Sequence, residues 1–269
     1  MRIPVPDSLR EHVNRTGEPA EPVDAATTVL LRDGADGLEV YLLRRQSTME
    51  FLPRKYVFPG GKTQDSDRDV DAWAGPSAEA WGKRFGCDAD TARGLVVAAV
   101  RETFEESGIL LAGPDAETVV SDTSAPEMQA ARFELENGEY GFAEFLAGRG
   151  LVLRSDLLGA WSHWITPPFE PRRYDTRFFV AALPEGQVVG ELPGEADRAH
   201  WTPVAQVLEA VDAGTAMMLP PTAVTCREVS LHAAADILTA SAEREVNTVA
   251  PYLVEADGEL FLEYELEEM

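Results

Sequence analysis

One octapeptide in the chain has the residue types and spacing for metal chemistry: Arg101-Glu102-Thr103-Phe104-Glu105-Glu106-Ser107-Gly108. On a helix at about 100° per residue, Glu105 and Glu106 fall at about −60° and +40° from Glu102. The three carboxylates then share one arc, away from the Val97, Val100 and Phe104 face. Gathering them there has a cost. Like charges at i,i+3 and i,i+4 are each unfavourable by roughly 0.2–0.5 kcal/mol. The C-terminal end of a helix favours cations, which adds roughly 0.3–1 kcal/mol per charge. A hard divalent cation offsets both, because Mg2+ takes oxygen ligands. The competing reading is a solvated acidic face, and for a lone glutamate pair it would prevail. Three glutamates at a helix end, downstream of Gly60-Gly61, reverse that preference.

The elements that must position these residues follow from periodicity. The spacing predicts a helix over about 90–107, with Asp88-Ala89-Asp90-Thr91 offering N-caps and Gly108 stopping it. Residues 25–32 and 38–45 read as strands around the turn Asp33-Gly34-Ala35-Asp36-Gly37. Shorter helices are expected near 77–85, 126–136 and 140–148, and strands at 159–166, 174–183 and 198–202. Residues 203–213 and 221–241 read as helices, and 249–265 as a final hairpin turning at Asp257-Gly258. The first 20 residues are polar and Pro-rich and read as an arm over the surface.

Taken together, these residues resemble the Nudix hydrolase box, G-x5-E-x7-R-E-U-x-E-E-x-G-U, with U aliphatic. Arg101, Glu102, Glu105, Glu106, Gly108 and Ile109 match its second half, with Thr103 in an aliphatic position. Phe58-Pro59-Gly60-Gly61-Lys62 matches its entry. Two departures stand out. The position six after Gly61 is Asp67 rather than Glu, and Gly61 to Arg101 spans 40 positions where the motif has 14, an insertion of 26 residues placed at about 65–90. The resemblance implies an α/β fold: an α/β/α sandwich with a mixed β-sheet, an insertion inside the box and a C-terminal helical and hairpin extension. The expected division is an arm at 1–21, a Nudix domain at 22–205 and an extension at 206–269 packed on the same domain.

The implied activity is hydrolysis of a nucleoside diphosphate linked to another moiety. Glu102, Glu105 and Glu106 would hold Mg2+ or Mn2+, with the Gly61 or Gly60 carbonyl as a further ligand. Arg101 would pair with and orient a box glutamate. The general base is either a box glutamate or a distal one on a loop, such as Glu191 or Glu195.

The long insert, the run before the box, Trp164-Ile165-Thr166-Pro167 and Arg173-Tyr174-Asp175-Thr176-Arg177-Phe178-Phe179 resemble one Nudix subgroup. It is the subgroup that includes a peroxisomal coenzyme A diphosphatase, so coenzyme A or an acyl-coenzyme A is the leading expected substrate. An ADP-ribose, NADH or housecleaning pyrophosphatase and a non-catalytic nucleotide-sensing module are the alternatives. Arg44, Arg45, Arg54, Lys55 and Lys62 precede the helix, and Arg172, Arg173 and Arg177 follow it. Arg44, Arg45, Lys62 and Arg173 are the expected substrate contacts, since guanidinium clusters suit phosphate. Phe51, Tyr56, Trp161, Trp164 and Trp201 are candidates to stack on adenine.

Composition bounds the rest. The 269 residues are 45% hydrophobic and 26% charged, ordinary for a globular chain. With 47 acids against 23 bases the net charge is −24, which disfavours a nucleic-acid or anionic-membrane partner and leaves a small anionic nucleotide in a locally basic pocket. Two distant cysteines, no apolar leader and a C-terminus ending Glu267-Glu268-Met269 lead to the expectation of a cytoplasmic protein. A homodimer would give helix 221–241 and the hairpin a surface to cover.

Overall fold

The computed structural model describes residues 1–5, 7–10, 12–13, 17–45, 55–191 and 196–266, with backbone only at Asp7, Ser8, Arg45 and Asp197. In chain order, β1 (Arg2–Pro4) and α1 (Asp7–Arg10) lead into the hairpin β2 (Val23–Gly34) and β3 (Gly37–Arg45), then β4 (Tyr56–Val57) and β5 (Gly60–Lys62). Next come β6 (Trp73–Ala74), α2 (Ala78–Phe85), α3 (Ala89–Ser107), β7 (Ala112–Gly113), α4 (Pro126–Glu136), α5 (Phe142–Arg149) and β8 (Val152–Arg154). The remainder is β9 (Gly159–Ile165), β10 (Tyr174–Ala182), β11 (Ala196–Pro203), α6 (Val204–Asp212), α7 (Pro220–Val229), α8 (Ile237–Glu243), β12 (Thr248–Val249), β13 (Tyr252–Ala256) and β14 (Glu259–Glu263).

The main sheet runs β11-β3-β2-β10-β9-β12, with β4 on β3 and β5 on β2. It is mixed: β2 and β10 are parallel, whereas β2–β3, β9–β10 and β2–β5 are antiparallel. Alternation sorts β2 between two cores. Ala26 and Leu30 face α3 together with Val96, Val97, Val100 and Phe104. Val29 and Leu31 face the other side, with Val204 and Val207 of α6, Val224 and Val229 of α7 and Ile237 of α8. Both faces are covered, which makes the α/β/α sandwich and explains why β2 is almost continuously apolar.

Helix α3 has the expected ends. Asp88 Oδ1 accepts the Thr91 backbone N–H at 2.9 Å. Gly108 closes the helix at φ 78°, and its N–H donates to the Phe104 carbonyl at 2.8 Å. The aliphatic box position tolerates Thr103 because its buried hydroxyl donates to the Ala99 carbonyl at 2.6 Å.

Three expectations are corrected. The insertion begins after residue 67 rather than at 65, and the helix expected near 77–85 within it is present as α2. Residues Asp65–Asp69 form a 3-10 turn, and the chain after it folds into the body. β6 pairs with β8, α2 packs on α3, and Trp81 and Phe85 are buried against Phe179 at centroid distances of 5.5 and 5.0 Å. The stretch 221–241 is not one helix. It breaks after Val229, Leu231 is 65% exposed, and the Ala234 N–H donates to Asp33 Oδ1 before the chain resumes as α8. The N-terminus is not wholly a surface arm, because β1 pairs with β14 and completes a three-stranded sheet with β13. That hairpin turns at Asp257 (φ 54°) and Gly258 (φ 78°), two positive φ values as a type I′ turn requires. Among the described residues no helix is long and apolar enough to cross a membrane.

Candidate active site

Arg101 is the hub of the site. Its guanidinium is 2% exposed and reaches three parts of the chain. Nε donates to Asp67 Oδ1 at 2.9 Å and Nη2 to Asp67 Oδ2 at 3.1 Å, a two-point contact with a wholly buried carboxylate. Nη2 also donates to the Lys62 carbonyl at 3.0 Å. Nη1 donates to Glu102 Oε1 at 2.7 Å and to Glu105 Oε2 at 3.2 Å. Burial alone would pull this guanidinium down. The Asp67 hydrogen bonds and the charges of Glu102, Asp67 and Glu105 reverse that and hold it above its ordinary value.

Asp67 is the residue that the sequence reading set aside as a departure. It sits six positions after Gly61, the box spacing, and carries the expected negative charge on a shorter stem. Its Oδ2 also accepts the Gln64 N–H at 2.8 Å, which fixes the 3-10 turn. The 26 inserted residues therefore fall between Asp67 and Arg101, and the fold closes the box around them. The spacing from Gly61 was the signal that could have found this residue.

The glycine strand meets the helix at close range. The Gly60 N–H donates to Glu106 Oε2 at 2.8 Å. A Cβ placed on Gly61 would lie 2.3 Å from Glu102 Oε1, so a side chain there would push that carboxylate aside. Burial pushes the Glu105 carboxyl up to about 8; Arg101 opposes the shift and Glu102 adds to it. Glu105 thus lies far from the solvated surface that an acidic face would present. Beside the site, burial raises the Tyr41 hydroxyl to about 12, with Arg132 lowering it and Glu106 raising it.

These groups open into a cavity of about 730 Å3. Gly60, Gly61, Lys62, Gln64, Arg101, Glu102, Glu105 and Glu106 line one part of it. The site residues expected from the box are therefore brought together. Lys62 lines the cavity, whereas Arg44 and Arg173 do not. Arg173 is spent on the backbone: Nε donates to the Thr166 carbonyl at 3.0 Å and Nη1 to the Ala20 carbonyl at 2.7 Å. Arg177 pairs with Asp24 at 2.9 Å and Asp175 at 2.7 Å. Of the second arginine cluster, Arg172 is the member on the cavity wall, and of the aromatic candidates Trp164 is. The side chain of Arg45 and all of Phe51, Arg54 and Glu195 lie outside the described residues. The Glu191 carbonyl accepts Arg132 Nη2 at 2.7 Å, and its side chain is exposed.

The donor chemistry fits a hard divalent cation: three carboxylates and a glycine carbonyl, all oxygen, on two facing elements. Among the described residues no three acidic, histidine or cysteine side chains are drawn tightly enough together to hold one. The contacts explain this, because Arg101 holds Glu102 and Glu105 while the Gly60 N–H holds Glu106.

Comparisons with known proteins agree with this geometry. Residues 86–228 match the NUDT19 Nudix domain. The chain is 27% identical over 218 residues to an acyl-coenzyme A diphosphatase NUDT19 of Xenopus laevis, covering 68% of this chain and 57% of that protein. The human protein of that name is 27% identical over 222 residues, covering 70% and 59%. The chain thus spans somewhat over half the length of these curated relatives. A crystal structure of a NUDIX hydrolase from Alicyclobacillus acidocaldarius superposes with a TM-score of 0.71 at 31% identity, over 85% of this chain and 99% of that one. With the domain match spanning more than half of its residues, the box closed on Asp67 and Arg101, and this structural relative, the chain belongs to the Nudix hydrolase family.

Proposed function

We propose that this chain is a metal-dependent pyrophosphohydrolase whose substrate is coenzyme A or an acyl-coenzyme A. The observation that carries the reading is the rebuilt box: Asp67, Arg101 and the three glutamates set at the Gly60-Gly61 strand, facing a cavity large enough for a nucleotide derivative. The names of the curated relatives supply the substrate class.

Glu102, Glu105, Glu106 and the Gly61 carbonyl would hold Mg2+ or Mn2+. When bound, such an ion neutralises diphosphate oxygens and makes a water more acidic. The chain's own residues do the rest. Arg101 orients Glu102 and Glu105 through Nη1. Lys62 and Arg172 on the cavity wall supply positive charge to the phosphates. A box glutamate in its ionised form is suited to take a proton from the attacking water. Water adds to one phosphorus, the bridging P–O bond breaks, and the bridging oxygen leaves on the other phosphoryl group. The products are 3′,5′-ADP and 4′-phosphopantetheine or its S-acyl thioester.

The test is a product assay with Mg2+ or Mn2+ on coenzyme A, acyl-coenzyme A, ADP-ribose, NADH, diadenosine polyphosphates and nucleoside triphosphates, read by mass. 3′,5′-ADP from the coenzyme A substrates supports the proposal. AMP from ADP-ribose or NADH alone keeps the reaction class and removes the substrate. The absence of any product alongside metal-dependent binding would instead support a nucleotide-sensing module.

A further inference from the structure

The cavity has a second end that the hydrolysis of a diphosphate does not use. Beyond the glycine strand apolar side chains predominate on its wall, with Glu170 and Arg172 of the β9–β10 connection among them. Phe178 of β10 sits opposite Thr27 in β2, and Trp164 of β9 sits opposite Thr176, so the floor is one face of the sheet. The roof comes from the two ends of the chain: Leu9 of α1, Pro251, and Leu262 of β14. Leu9 and Leu262 are buried together with Val5 in a small cluster of their own. All three roof residues lie outside residues 86–228, the segment that matches the family domain. The pairing of β1 with β14 brings them into place.

A diphosphate held at the carboxylate end has a polar nucleotide on one side and the other moiety on the other. The leucine, proline, tryptophan and phenylalanine side chains of this wall match hydrocarbon, whereas Arg172 suits a phosphate. We propose that the roof formed by Leu9, Pro251 and Leu262 receives the acyl chain of the substrate, and that Leu262 is a specificity-determining residue for that chain. This rests on the acyl-coenzyme A reading above. Each methylene fully buried there raises kcat/KM by about fourfold.

The test compares kcat/KM for coenzyme A with butanoyl-, octanoyl- and palmitoyl-coenzyme A in the full chain, in Leu262→Gln and in Leu9→Gln. The readout is the ratio of octanoyl-coenzyme A to coenzyme A, which a partly unfolded preparation leaves unchanged because both substrates see the same active fraction. The expected wild-type ratio is roughly tenfold or more, falling at least about fivefold in each variant. A wild-type ratio near one, or a ratio that neither variant moves, overturns the inference and leaves the hydrolase reading standing. Absence of cleavage of every coenzyme A substrate overturns both.

Discussion

Asp67→Asn tests the brace on which the site depends. The carboxylate is wholly buried and accepts from Arg101 Nε at 2.9 Å, Arg101 Nη2 at 3.1 Å and the Gln64 N–H at 2.8 Å. An asparagine keeps one acceptor and turns an NH2 group toward donors, while Arg101 loses its fully buried counter-charge. Removing one partner of a buried pair costs about 3–5 kcal/mol. At roughly 2 °C per kcal/mol for a chain of this size, Tm should fall by roughly 6–10 °C. Loss of the group that orients Arg101 should also lower kcat by about 10–100-fold, as Glu102 and Glu105 lose their fixed positions. Asp67→Glu is the contrast. It keeps the charge but forces one methylene into a closed site, at a cost of about 1–3 kcal/mol. Thermal melts and kcat on coenzyme A would be measured for both. An Asn variant within 2 °C and twofold of wild type, or Glu and Asn variants that lose equally, would refute the argument that charge on Asp67 holds the site.

Other consequences can be measured separately. Glu106→Gln should lower kcat by roughly 10²-fold or more and weaken Mn2+ binding by calorimetry, with an unchanged circular dichroism spectrum; full turnover would remove Glu106 from the metal set. Gly61→Ala places a Cβ 2.3 Å from Glu102 Oε1, so it should push that carboxylate aside and reduce kcat with little change in Tm, while an unchanged kcat would mean that Glu102 need not hold its place. Glu105 titrates near 8 in the fold against an ordinary 4.5, so its ionised form is the disfavoured one. Its contribution to stability is complete below the ordinary value and is lost as pH rises through about 8. Metal-free protein should therefore lose Tm over that window, Glu105→Gln should lose less, and identical slopes would contradict the assignment.

How far the sequence alone reaches can be seen residue by residue. Local rules were sufficient for α3: the Asp88 cap, the apolar spacing at Val96, Val97, Val100 and Phe104, and Gly108 at the end are all interactions within one helix. They were sufficient for the Asp257-Gly258 turn and for the gathering of Glu102, Glu105 and Glu106 at one end of a helix, since both depend on near neighbours in the chain. The identity of Arg101's partner was a different matter. Asp67 lies 34 positions away, across an insertion that no local pattern could interpret, and only packing of α2 and β6 into the body returns it to the helix. The arginines show the same limit. Arg172, Arg173 and Arg177 are alike in sequence, yet one lines the cavity, one holds backbone carbonyls and one is paired with Asp24 and Asp175. Residue type and spacing determine which groups can do the chemistry, because those are properties of the chain over a few turns. Which of them face one another, and which are consumed as structural pairs, is decided by long-range packing, where burial makes an unpaired charge too costly to leave alone.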